Sequence, residues 1–130
     1  MKILILEDAK ERIKAFKQLF IEHETTFVTR ADVCIEKLSL KGTGDPFEYD
    51  VLFLDHDLDG KVYVPSGPGT GYEVACYLKE NPDKMPKVII LQTLNGDGAE
   101  EMLQVLPKAI HMPFVWENSK IGEQLERILA

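Results

Sequence analysis

The chain has 130 residues, 45% of them apolar and 28% charged, with a formal net charge of −7. That length supports one hydrophobic core. The acidic balance excludes bulk nucleic-acid binding, which needs lysine and arginine to displace counterions along phosphates, and the apolar runs fall short of the roughly 18–20 residues that span a bilayer. Residues 2–6 are a short apolar run ending in Glu7-Asp8, the pattern of a strand buried on both faces. Asp8 and Glu11 have capping-box spacing before a helix that carries Ile13, Phe16, Leu19 and Phe20. The β-branched residues 25–29 predict a second strand. Residues 31–40, with Val33, Ile35 and Leu38, predict a second helix, broken by Gly42, Gly44 and Pro46. Residues 49–54 form a third buried-type strand that ends at Asp55. Residues 56–70 hold Gly60, Gly67, Gly69, Pro65 and Pro68 and predict a long loop, a length often tied to function in compact domains. Thr70 and Glu73 repeat the capping-box spacing ahead of a helix with Tyr72, Val74, Ala75 and Leu78, which stops near Asn81-Pro82. A fourth strand over 87–91 ends near Gln92-Thr93. A short helix over 97–106, a fifth strand over 109–112 and a closing helix over 117–129 complete the chain.

Strands alternating with helices imply an α/β fold with a parallel sheet and right-handed crossovers, read as one domain over 1–130 with an enlarged loop at 56–70. Met1 leads straight into the first apolar run and then into acids, without a secretory pattern. Cys34 and Cys76 show no metal spacing and read as buried small apolar residues, so a reducing, cytoplasmic setting is expected.

In open parallel sheets, sites form beyond the carboxyl ends of the strands. Glu7 and Asp8 follow the first strand there, Asp55 the third, with His56, Asp57 and Asp59 behind it. Thr93 follows the fourth, and His111 lies near the end of the fifth. Carboxylates packed this closely repel one another unless some stay protonated or a cation joins them. Oxygen ligands with a partly open shell suit Mg²⁺ or Mn²⁺. The expected metal ligands are Glu7, Asp8 and Asp55, with Asp57 supplying its carboxylate or its backbone carbonyl.

An acidic pair after strand one, an aspartate after strand three, a hydroxyl after strand four and Pro113-Phe114 after strand five together resemble the receiver domains of two-component signalling. The resemblance implies a three-layer, flavodoxin-like (βα)5 fold with strand order 2-1-3-4-5. It matches Asp55 to the phospho-accepting aspartate, Thr93 to the hydroxyl that contacts the phosphoryl group, and Gly71 to the glycine that opens helix three. It also leads one to expect a cis bond at Met112–Pro113. Two departures stand out. Met112 occupies the place of the receiver lysine, and Lys108 is too far upstream to replace it. Asp55 and Gly71 are 16 positions apart, which lengthens the intervening loop. Leu54-Asp55-His56-Asp57-Leu58, the run from Ser66 to Ala75, and His111-Met112-Pro113-Phe114-Val115-Trp116 resemble a narrower variant, the cyclic-phosphate-processing receiver domain, which is common in bacterial and phage genomes.

That resemblance implies metal-dependent handling of phosphate esters, with hydrolysis of a cyclic phosphate as the specific form and a metal-dependent phosphoesterase as the enzyme class. Asp55, His56 and His111 are the candidate catalytic residues, an imidazole serving as general acid or base near neutral pH. Thr93, Lys61 and Thr70 are the candidate phosphate contacts, beside backbone N–H groups of the glycine-rich loop. The segment from Gly67 to Gly71 is not a nucleotide-binding P-loop, because it lacks the Gly-Lys-Ser/Thr ending. Expected partners are a small phosphorylated ligand or an RNA end, and a protein. Two other readings fit the same residues: a response regulator phosphorylated on Asp55, and a degenerate receiver acting only as an interaction module.

Overall fold

In this computed structural model, residues 1–41, 48–58, 64–113, 123 and 127 are described. The strands are β1 (Lys2–Leu6), β2 (Glu24–Val28), β3 (Val51–Leu54), β4 (Val88–Leu91) and β5 (Ile110–His111). The helices are α1 (Lys10–Leu19), α2 (Ala31–Ser39), α3 (Gly71–Glu80) and α4 (Gly96–Val105), with a single 3-10 turn at Pro82–Lys84. The strands pair in parallel in the order β2-β1-β3-β4-β5, as the resemblance implied. Lys61, Asp59, residues 114–116 and the expected closing helix, apart from Glu123 and Arg127, lie outside the described residues.

The apolar strand runs explain the layering. Successive strand side chains point to opposite faces, so β1 sends Leu4 and Leu6 one way and Ile3 and Ile5 the other. The first face joins Leu52, Leu54, Ile89 and Leu91 to the buried sides of α2, α3 and α4, through Cys34, Leu38, Val74, Leu78 and Met102. The second joins Val51, Phe53 and Ile90 to Phe16 of α1 and to Phe20 at its C-cap. Phe16 meets Phe53 edge-on at 5.0 Å between ring centroids. Each such fully buried side chain contributes about 1.5–3 kcal/mol.

Three local expectations are corrected. Neither capping box forms. The residue flanking α1 is Ala9, without a side-chain cap, and Thr70 at the head of α3 also makes none. In their place, Glu7 Oε2 accepts the N–H groups of Asp8 (3.1 Å) and Ala9 (3.2 Å), while the Thr70 hydroxyl donates back to the Gly67 carbonyl (2.7 Å). In each case a nearer partner is available in the preceding turn. Met112–Pro113 is trans, as are the other described bonds. The trans form is the favoured one before proline, by about 0.5–1 kcal/mol. Both cysteines are free, but only Cys34 is buried; burial pushes its thiol up to about 12 and leaves it inert, while Cys76 is half-buried.

Register decides which residues share the carboxyl edge. Leu6 pairs with Leu54, and Leu54 with Leu91. The ladder then runs one step further. Glu7 N–H donates to Val28 O (3.0 Å), Asp55 N–H to Leu6 O (3.2 Å), and Gln92 N–H to Leu54 O (3.2 Å). Glu7, Asp55 and Gln92 therefore stand side by side at one end of the sheet.

Candidate metal and phosphate site

Glu7, Asp8 and Asp55 converge there. One carboxylate oxygen from each lies within 4.8 Å of the others. Two ligands on opposite sides of Mg²⁺ at about 2.1 Å are about 4.2 Å apart, so a slight contraction suits the ion. Glu7 is fully buried, and its Oε1, 3.4 Å from the Arg12 guanidinium, accepts no hydrogen bond from the described residues. A buried carboxylate oxygen left so is costly, and a coordinated cation would relieve it.

Burial pushes Asp55 up to about 8, the negative charge of Glu7 adds to the rise, and the Arg12 guanidinium opposes it. Arg12 is a site residue that motif reading missed. Its Nη1 lies 3.4 Å from Glu7 Oε1 and 4.0 Å from Asp55 Oδ2, reaching over the pocket from the first turn of α1. Its place in the first turn of the helix that follows the acidic pair was the available signal.

Asp57 does not bring its carboxylate to this cluster among the described groups. Its Oδ1 lies 2.8 Å from His56 Nδ1 and accepts from Asn95 Nδ2 at 3.0 Å. His56 is fully buried. Its Nε2 meets Ser66 Oγ at 2.8 Å, and its backbone N–H donates to Asp55 Oδ1 at 2.9 Å. The ring packs on α4 so closely that a Cβ at Gly98 would sit 2.5 Å from it. His56 was expected to act directly on a ligand in the acidic pocket; here both of its ring nitrogens are engaged within the protein. Nε2 of the half-buried His111 lies 3.0 Å from Thr93 O. Thr93 is buried beside Gln92, and its hydroxyl oxygen accepts the Asn95 N–H at 3.0 Å. Thr70 is committed to the turn at Gly67, and Lys61 lies outside the described residues. Met112 packs against the α1 face of the core, so the place of the receiver lysine is apolar.

The long loop is closed at its neck. Gly71 N–H donates to His56 O at 3.1 Å, and a Cβ on Gly71 would sit 1.8 Å from Asp55 O. Gly71 therefore abuts the backbone of Asp55 despite the inserted residues. Residues 2–108 match the family described as the cyclic-phosphate processing receiver domain.

This chain belongs to that family. Solved receiver structures share its fold. The receiver domain of a sensor histidine kinase from Pseudomonas aeruginosa, with magnesium coordinated in its active-site cleft, is 17% identical, at 98% coverage of this chain, 96% of that one and a TM-score of 0.71. Response regulator TrrA from Thermotoga maritima, in complex with Mg²⁺-BeF, is 18% identical at 98% and 97% coverage and a TM-score of 0.67. The Mn²⁺-bound form of response regulator Rcp1 is 19% identical at 98% and 88% coverage and a TM-score of 0.63. No curated protein matches the chain. Among its described residues, no helix is long and apolar enough to cross a membrane. Asn95 and Ser66, like Arg12, were missed in the sequence. Asn95 caps α4 by accepting the Gly98 N–H at 3.0 Å, and Ser66 opens the run to Ala75 that carries the family resemblance, without its hydroxyl having been given a role.

Proposed function

We propose that this receiver domain binds Mg²⁺ or Mn²⁺ through Glu7, Asp8, Asp55 and the backbone carbonyl of Asp57, and handles a small phosphate ester there, with cyclic-phosphate hydrolysis as the reaction. The observation that carries the reading is the convergence of the Glu7, Asp8 and Asp55 carboxylates, with the buried Glu7 Oε1 accepting no hydrogen bond from the described residues. Asp57 is assigned its carbonyl because its carboxylate is held by His56 and Asn95. The cation would polarise a phosphoryl oxygen. Arg12 would take a second phosphate oxygen once the metal displaces it from the acids, since a guanidinium matches phosphate geometry. It thereby supplies the positive charge that Met112 lacks. Thr93 would contact the phosphoryl group through its hydroxyl. The net charge of −7 favours a small ligand over a long RNA backbone.

The test has two stages. Titration with Mg²⁺ is expected to shift the backbone amide resonances of residues 7, 8 and 55–57; no change at millimolar metal overturns the reading. With metal bound, ring opening of a 2′,3′-cyclic nucleotide is expected, and loss of that reaction in Asp55→Ala. The fold shared with TrrA in its Mg²⁺-BeF complex favours a second reading, in which Asp55 itself accepts a phosphoryl group. Acetyl phosphate with Mg²⁺ would then leave an adduct of about 80 Da, the single charged group that phosphorylation adds, and Asp55→Ala would lose it.

Arg12 separates cation from anion binding. In Arg12→Gln, Mg²⁺ affinity is expected to rise about tenfold, because a competing cation at 3.4 Å from Glu7 is gone. Binding of inorganic phosphate to the metal-loaded protein should weaken by a similar factor. Calorimetry with each ligand reads both changes, and parallel loss of the two affinities would remove Arg12 from the site.

A further inference from the structure

Beside the acidic pocket lies a hydrogen-bonded chain of three side chains that metal binding leaves unused. It runs from Asp57 Oδ1 to His56 Nδ1 at 2.8 Å and from His56 Nε2 to Ser66 Oγ at 2.8 Å. We propose that Ser66 is a nucleophile activated by His56 and Asp57, and that it attacks the phosphorus of a phosphate ester.

The proton positions follow from the partners. Asn95 Nδ2 lies 3.0 Å from Asp57 Oδ1, 3.2 Å from Val64 O and 3.3 Å from His56 Nδ1, and the two shorter contacts take its two hydrogens. The Asp57 carboxylate can only accept. His56 Nδ1 therefore carries the ring proton and donates it to Asp57. Nε2 is left with its lone pair toward the Ser66 hydroxyl, which donates. This is the connectivity by which a carboxylate-held imidazole acts as general base toward a serine.

The base is the most enclosed member of the chain. The His56 side chain is 0% exposed and that of Asp57 15%, while Ser66 is half-buried on the loop. The imidazole is held in orientation by the α4 backbone at Gly98, and Asp57 by Asn95. A histidine kept only for packing could be satisfied by backbone carbonyls; here each ring nitrogen meets a side chain, a carboxylate on one side and a hydroxyl on the other. The arrangement also gives His56 a route to the chemistry that its burial otherwise denies it.

The step balances on one electrophile. Ser66 Oγ forms a bond to phosphorus as a ring P–O bond of a cyclic phosphate breaks. The Ser66 proton passes to His56 Nε2 and then to the departing ring oxygen. Water, deprotonated by the same imidazole, then forms a bond to phosphorus as the Ser66 Oγ–phosphorus bond breaks, and the imidazolium returns the proton to Ser66 Oγ. This inference rests on the reading of the domain as a handler of phosphate esters, but its test does not need the metal.

The test is covalent labelling of the full chain by diisopropyl fluorophosphate in EDTA, in which a Ser66–phosphorus bond forms, the P–F bond breaks, fluoride leaves and the proton goes to His56. Peptide mass spectrometry is expected to place one adduct on Ser66, absent in Ser66→Ala. The labelling rate should fall about 100-fold or more in both His56→Gln and Asp57→Asn, the range for loss of a general base or of the group that orients it. Asp57→Asn keeps the volume and guards against misfolding of the histidine variant, with circular dichroism checking both. Labelling of Ser66 no faster than that of other serines overturns the inference, and so does a rate unchanged in folded Asp57→Asn. Mg²⁺ binding, measured in parallel, should survive in Ser66→Ala. Its loss in the wild type would overturn the metal reading instead, so the two failures are distinct.

Discussion

Asp55→Asn is expected to stabilise the metal-free domain and to abolish its response to Mg²⁺. The reason is electrostatic. Asp55 is 2% exposed, and burial with the neighbouring Glu7 charge raises its carboxyl to about 8. In the unfolded chain an aspartate titrates at about 3.9. The folded state thus binds the extra proton between about pH 4 and pH 8, so metal-free stability falls as pH rises across that window and levels off above it. Asparagine keeps an oxygen for the His56 N–H, which donates to Asp55 at 2.9 Å, and brings no charge. Urea unfolding in EDTA at pH 8 should show a gain of roughly 2–3 kcal/mol, below the full cost of a buried charge because Arg12 offsets part of it. With Mg²⁺ in excess the order should reverse. The wild type gains stability in proportion to the logarithm of metal over Kd, and the variant gains almost none. Equal stability of the two proteins in EDTA, or a metal response kept by the variant, would refute the account. The same proton sets the pH dependence of binding. Metal ligands must be deprotonated, so Mg²⁺ affinity should tighten as pH rises toward 8, with protons released into the buffer.

Gly71→Ala is expected to cost at least about 3 kcal/mol, in the range of severe overpacking. The added Cβ would sit 1.8 Å from the carbonyl oxygen of Asp55 and 2.9 Å from its carbonyl carbon. Those are backbone atoms of the strand exit that carries the candidate site, so neither can rotate away. Gly96→Ala is the matched control. Gly96 also opens a helix, but a Cβ there meets nothing within 4 Å. Alanine favours the helix by about 0.8–1 kcal/mol over glycine, so that variant should be neutral or slightly more stable. If Gly71→Ala unfolds at the same urea concentration as Gly96→Ala, the close approach of α3 to Asp55 is wrong. If Gly71→Ala folds, it should bind Mg²⁺ more weakly, because Asp55 has shifted.

The sequence by itself determined the sheet and the placing of the acids along it. Runs such as Lys2–Leu6 and Val88–Leu91 are apolar at nearly every position, which only strands covered on both faces need. Parallel pairing then aligns their exits, so Glu7 and Asp55 must be neighbours. Loop length hid nothing either: Gly71 closes on His56 across the inserted residues. What only the tertiary structure decided is the choice of partner for each polar group. Spacing proposed Asp8 and Thr70 as helix caps, yet Glu7 and the turn at Gly67 offer nearer partners. Spacing placed Asp57 and His56 with the acids, yet Asn95 and Ser66, 38 and 10 positions away, draw them toward α4. Arg12 acquires its role only because α1 packs over the β1 and β3 exits. Apolar periodicity is a local property of the chain and can be read along it. A hydrogen-bond partner is selected by distance in space, and that exists only once the sheet and its helices have packed.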